Sequence, residues 1–198
     1  AHPEAAKHYD TNRIRRDFLI ESVFTADEVN MVYSMYDRMI VGGAMPVTEQ
    51  LTLEAIDPLK STYFTTRREI GIFNVGGEGY VKVGDETFEL GYKEALYIGR
   101  GERNVIFCSK DGKAPAKFYF NSCTAHTAYP CKKVTKADAI TTSMGEQATS
   151  NERNINKMIV SQVLPTCQLQ MGMTELSIGS VWNTMPAHVH SRRMEAYF

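Results

Sequence analysis

The sequence is poor in the features that would send it to a membrane, a polyanion or an oxidising compartment. No apolar run approaches the roughly 20 residues that a membrane-spanning helix requires. The opening Ala1-His2-Pro3-Glu4 has no apolar core behind a basic flank, so a secretion signal is not expected and a soluble, cytoplasmic protein is. Charge of one sign is also missing. Against 22 Lys and Arg stand 23 Asp and Glu, a net charge of −1, which lacks the electrostatic footprint of a nucleic-acid or anionic-lipid partner. Cysteine is sparse and unpaired in pattern: Cys108, Cys123, Cys131 and Cys167 contain no C-x-x-C. Reduced, buried thiols fit this better than a disulfide framework or a zinc knuckle.

What is present is strand language. Residues 11–24 mix arginines with Ile14, Phe18, Leu19 and Ile20, which reads as an arm with an apolar strand near Phe18–Val23 and little helix. From Val32 onward, short runs of Tyr, Val, Ile and Phe are punctuated by glycine, a spacing that argues for a β sandwich or barrel rather than βαβ units. Gly84-Asp85 predicts a tight hairpin between Tyr80–Val83 and Thr87–Leu90, with positive φ at the glycine. Gly76-Gly77-Glu78-Gly79 is flanked by strands and opens no helix, so it reads as a turn and not a phosphate cradle.

Three segments follow from these shifts in texture: an N-terminal arm and barrel over residues 1–121, a linker over 122–156, and the start of a second barrel over 157–198. The linker carries Pro130, Lys132, Lys133, Gly145 and Asn151 with scant apolar periodicity, and one short helical turn is expected at Lys136–Ala139. Strands resume at Ile155–Val160 and Thr166–Leu176. His126, inside the linker, is expected to pack at a domain or subunit junction.

The chemistry is concentrated at the end, in His188-Val189-His190-Ser191-Arg192-Arg193-Met194-Glu195. Side chains alternate with a period of 2 along a strand, so His188 and His190 share a face. Glu195 follows His190 by an odd offset and reaches that face only if a bulge or turn intervenes. Two imidazoles and a carboxylate suit Zn, Fe, Mn or Ni without choosing among them. Taken alone, the triplet fits an exposed pair at a strand end equally well. Arg193 lies two residues from Glu195 and shares its face if the strand is regular from there, where a guanidinium fork for a carboxylate ligand and a surface arginine paired with an acidic neighbour fit equally well. Arg67-Arg68-Glu69 resembles Arg192-Arg193-Met194-Glu195, and Met45-Pro46 resembles Met185-Pro186, so the chain reads as duplicated. Counting back from the arginines, Tyr63 and Thr65 stand where the second copy has His188 and His190. The first copy is therefore expected to be metal-free.

An all-β duplicated chain with H-x-H-x(4)-E on strands resembles the cupins. More narrowly, residues 40–47, 119–130 and 166–169, with Trp182-Asn183-Thr184-Met185-Pro186 through Arg193-Met194-Glu195, resemble the 5-keto-4-deoxyuronate isomerases over nearly the whole chain. The resemblance implies a duplicated cupin whose second barrel is incomplete in this chain. It implies a zinc-containing isomerase of pectin-derived uronate breakdown, turning 5-keto-4-deoxyuronate into 3-deoxy-2,5-diketogluconate. Zinc ligands then fall on His188, His190 and Glu195, and the family's fourth ligand, a histidine further on, has no counterpart among these residues. A homo-oligomer is implied as well, and the remainder of the protein is expected to lie outside this sequence, beyond a truncation or as a separate chain. The general base is not evident; Glu175, Tyr197 and a metal-bound hydroxide are all open, and a hydride shift would need none. A cupin oxygenase using iron at the same ligands, and a non-catalytic sugar-binding or regulatory cupin, are the alternative readings.

Overall fold

A computed structural model describes residues 2–182, 190 and 193–198. Runs rich in β-branched and aromatic residues take up the pleated conformation, and the residues between them turn the chain. In chain order, helices α1 (Pro3–Ala6) and α2 (Thr11–Phe18) precede strands β1 (Val29–Tyr33), β2 (Ile40–Ala44), β3 (Leu51–Thr52), β4 (Arg68–Asn74), β5 (Gly79–Val83), β6 (Glu86–Leu90), β7 (Ala95–Ile98), β8 (Val105–Ser109) and β9 (Phe118–Thr124). Then come β10 (Lys132–Val134), β11 (Ile140–Met144), β12 (Arg153–Ile159) and β13 (Met171–Leu176). The pairings between these strands are antiparallel.

A six-stranded sheet has the order β1-β2-β9-β4-β7-β10, and a four-stranded one the order β3-β8-β5-β6. Between β2 and β9 the chain passes repeatedly from one sheet to the other, giving β2-β9-β4-β7 facing β3-β8-β5-β6. That is the eight-stranded double-sheet jelly roll on which cupins are built. The Gly84-Asp85 turn is where the sequence places it: Val83 pairs with Glu86, and Gly84 has φ 58°.

The lumen is filled by Ile40, Ile70, Ile72, Val81, Leu96, Ile98 and their neighbours, with Phe107 stacked between Phe118 and Phe120 at ring-centroid distances of 5.4 and 6.0 Å. Burying such side chains supplies about 1.5–3 kcal/mol each. The outer face of the large sheet is also covered. Phe73, Tyr97 and Tyr119 pack there against Met158, Ile159, Leu164, Leu169 and Met171, which come from the third sheet, β11-β12-β13, and the segment before β13. With both faces buried, β4 reads as a continuous run with no exposed residue.

Three local expectations change, the first being that residues 122–156, read as a linker, carry β10, β11 and part of β12, with β10 at the edge of the six-stranded sheet. The arm has no strand near Phe18–Val23; residues 11–18 are helical, started by the Asp10 carboxylate, which accepts from the Arg13 N–H at 2.8 Å. Of Thr166–Leu176 only Met171–Leu176 is strand, because residues 167–169 give their N–H groups to a buried carboxylate instead of a ladder. The short helical turn lies at Lys136–Asp138.

Gly71 shows how closely the third sheet approaches. A Cβ on Gly71 would lie 2.4 Å from Met171 Sδ and 2.9 Å from Ile159 Cδ1. Gly71→Ala is expected to cost about 1–3 kcal/mol through overpacking, read as a lowered Tm by calorimetry. An unchanged Tm would mean that this contact yields freely.

Candidate functional site

Glu69 follows Arg68 at the head of a strand that is otherwise apolar up to Asn74, and it faces outward from the barrel into the seam beneath the third sheet. It is wholly buried. The backbone N–H groups of Cys167, Gln168 and Leu169 donate to its carboxylate at 2.8, 2.7 and 2.7 Å. The Tyr97 hydroxyl donates at 2.6 Å and the Cys123 thiol at 3.4 Å. A buried carboxylate is tolerable when its lone pairs are satisfied in this way. Burial first, and the carboxylate next, raise the pKa of both Tyr97 and Cys123, so each keeps the proton it donates.

Gln168, fixed by that anchor, reaches the C-terminal stretch. Its side-chain oxygen accepts from Arg193 Nη1 at 2.9 Å, and its Nε2 donates to Thr124 Oγ1 at 3.1 Å. The Met194 N–H donates to Asp37 at 3.1 Å, while Phe198 stacks on Tyr119 at 4.6 Å and meets Phe24 edge-on at 5.6 Å. Residues 193–198 are thus laid over the outer face of the large sheet.

Within this frame His190 Nε2 stands 3.0 Å from Glu195 Oε2. Residues 193–198 carry no regular strand. A shared hydrogen or two corners of a metal site both fit the distance, since ligands at about 2.05 Å in tetrahedral geometry lie about 3.3 Å apart. His188 lies outside the described residues. Among the described residues no group of three His, Cys, Asp or Glu side chains is arranged to hold a metal.

Of the other candidates, Tyr197 is largely exposed, and a hydrogen bond with Glu195 raises its pKa. Glu175 is unsuited to act as a base near neutral pH. Lys93 and Lys136 pair with it at 2.8 and 2.6 Å, Asn156 Nδ2 donates to it at 2.9 Å, and these partners hold its carboxyl at about 2. His126 is exposed, with Nδ1 3.0 Å from Cys167 Sγ. The Glu69 anchor was not foreseen; the signal for it was a lone carboxylate in the buried run Glu69-Ile70-Gly71-Ile72-Phe73.

Because its folded pKa is depressed, Glu175 contributes stability above the ordinary carboxylate range that is lost as pH falls towards about 2. The Tm advantage of the parent protein over Glu175→Gln is expected to shrink steadily between about pH 5 and pH 2. A gap that stays constant over that window would contradict the pairing.

The model of the KduI/IolB family matches residues 18–197. A protein of Bacteroides fragilis named 4-deoxy-L-threo-5-hexosulose-uronate ketol-isomerase is 75% identical over 198 residues, all of this chain and 71% of that protein. One from Bacteroides thetaiotaomicron, named 4-deoxy-L-threo-5-hexosulose-uronate ketol-isomerase 1, is 74% identical over the same shares. A Yersinia pseudotuberculosis protein named as the first is 53% identical, over 100% of this chain and 72% of its own length. Among solved structures, an IolB-like protein from Salmonella typhimurium aligns with TM-score 0.47 at 15% identity, over 66% of this chain and 46% of its own. A cupin from Bacteroides fragilis aligns with TM-score 0.36 at 12% identity, over 56% and 88%. The jelly-roll assignment rests on strand order, not on these structures.

Proposed function

The chain belongs to the KduI/IolB family, and from that membership we propose that the protein is an aldose–ketose isomerase of 5-keto-4-deoxyuronate, giving 3-deoxy-2,5-diketogluconate. The observation that carries the reading is the 74–75% identity, over the whole chain, to relatives named as ketol-isomerases of this uronate. The reaction moves hydrogen within one molecule. The C1 aldehyde is reduced, the C2 alcohol is oxidised, and no external oxidant or reductant is consumed.

His188, His190 and Glu195 are proposed to hold a divalent ion, zinc by family resemblance, and the 3.0 Å approach of His190 to Glu195 supports two of the three. Such an ion, when bound, supplies Lewis-acid polarisation of a carbonyl oxygen and charge stabilisation for an enediolate. The chain's own contribution is positional. Gln168, held by Glu69, fixes one arm of the Arg193 guanidinium, and the other donors of that fork are available to a substrate carboxylate. Residues 157–198 are taken as the beginning of the metal-bearing half. A homo-oligomer is part of the same proposal, with the exposed Ile178, Val181, Tyr197 and Phe198 offering apolar contact area. A cytoplasmic location fits four free cysteines.

His190→Ala and Glu195→Ala in the full-length protein are expected to lose bound metal and isomerase activity together, with kcat/KM falling at least about 100-fold. Metal content by mass spectrometry alongside turnover decides the point, and undiminished activity in metal-stripped double variants would sink the mechanism. Arg193→Lys is expected to raise KM more than it lowers kcat, because a point charge replaces a two-pronged fork. A pure kcat defect would remove Arg193 from substrate binding.

A further inference from the structure

β4 carries a second buried charge, and this one has no counter-charge among the described residues. Arg68 is 3% exposed and shares the inward parity of Ile70 and Ile72, which places it at the end of the lumen. Its Nε donates to Ser122 Oγ at 3.0 Å, and Nη2 donates to the carbonyl oxygens of Arg38 and Ser122 at 2.6 and 2.7 Å. All three acceptors are neutral. Glu69, the nearest carboxylate in sequence, points through the opposite face and is saturated by its own donors. Among the described residues, the Arg38 guanidinium bears on Arg68 and repels it. Desolvation draws the Arg68 pKa down to about 10, so the side chain is still protonated at neutral pH. A buried, unpaired charge of this kind is strongly destabilising, and an anion beside it would relieve that strain.

Arg68 borders a cavity of about 250 Å³. Two further guanidiniums line the cavity. Arg38 has no hydrogen-bonded or ion-paired side-chain partner among the described residues, and Arg67 gives Nη2 to the carbonyl oxygens of Leu59 and Lys60. Tyr33, Ser61 and Thr124 add hydroxyl groups, and among the described residues no carboxylate lines the space. We infer that this cavity is a binding site for a small anion, clamped by Arg38, Arg67 and Arg68, distinct from the His190–Glu195 pair and independent of the isomerase reading. Guanidinium forks with adjacent hydroxyls match the carboxylate of a sugar acid or a phosphate group, and the volume admits a monosaccharide-sized ligand rather than a polymer.

Position in the fold supports the inference. In the internal repeat, Arg67 and Arg68 correspond to Arg192 and Arg193, and the same register sets Tyr63, Thr65 and Ile70 opposite His188, His190 and Glu195. In that sequence register the arginine pair of the first copy stands beside positions that are candidate ligands in the second. The duplicate reads as one copy kept for chemistry and one kept for sensing an anion.

The test is calorimetric titration of the full-length protein at constant ionic strength with D-galacturonate, inorganic phosphate and neutral D-galactose. The same titrations are run on the double variant Arg38→Ala/Arg67→Ala, both sites being exposed and tolerant of truncation, and on His190→Ala. Saturable binding of one or both anions, absent for galactose, retained in His190→Ala and weakened at least tenfold in the double variant, is the expected result. Galacturonate binding alone identifies a sugar-acid site, and phosphate binding alone a phosphate site. Binding of neither anion, or binding abolished by His190→Ala and unchanged in the double variant, overturns the proposal.

Discussion

The structure hangs on a single buried carboxylate. Glu69 lies on the outer face of β4 with five donors around it, three of them successive backbone N–H groups about 100 residues further along the chain. Taking a charge out of water is costly, and only a full shell of donors offsets that cost. The shell can be assembled in one way, with residues 167–169 laid across the first barrel. The seam therefore has a fixed register. Gly71 admits the third sheet beside the anchor, and Gln168 carries the same register outward to Arg193.

β4 is in this sense a two-sided beam. Its inward residues Arg68, Ile70 and Ile72 close the lumen, and its outward residues Glu69, Gly71 and Phe73 receive the rest of the chain. The two charges face away from each other across one strand and do not neutralise. Each is answered by its own surroundings: a nest of N–H groups for Glu69, and carbonyl oxygens with an open cavity for Arg68. The same strand thus separates a structural use of charge from a recognitional one.

Much of this was legible in the sequence where local rules decide. The glycine-punctuated strands between residues 69 and 121, the Gly84-Asp85 hairpin and the turn reading of Gly76–Gly79 depend on alternation and φ preference, and they appear as expected. The helix at residues 11–18 was obscured because its arginines and scattered apolar residues resemble an unstructured arm; the Asp10 cap was the overlooked cue. Residues 167–169 lie in a stretch expected as strand but spend their backbone donors on Glu69, a tertiary demand that composition cannot express. At the candidate site, spacing alone sets Glu195 on the face opposite His190, so their 3.0 Å approach was not legible without the path of the chain. The roles of Glu69, Gln168 and Arg68 required knowing which faces of β4 are covered.

The anchor also has a consequence for synthesis. A ribosome adds about 5–20 residues per second, so the segment that satisfies Glu69 emerges roughly 5–20 s after Glu69 itself. Until then the strand has its inner face ready to bury and its outer face bearing an ionised group that only water can solvate. The first barrel must close around its lumen while leaving that outer face wet, which makes the apolar patch of Phe73, Tyr97 and Tyr119 a transiently open surface during translation. The charge placed in its midst disfavours association of that surface with other nascent chains, a gatekeeper before it becomes an anchor.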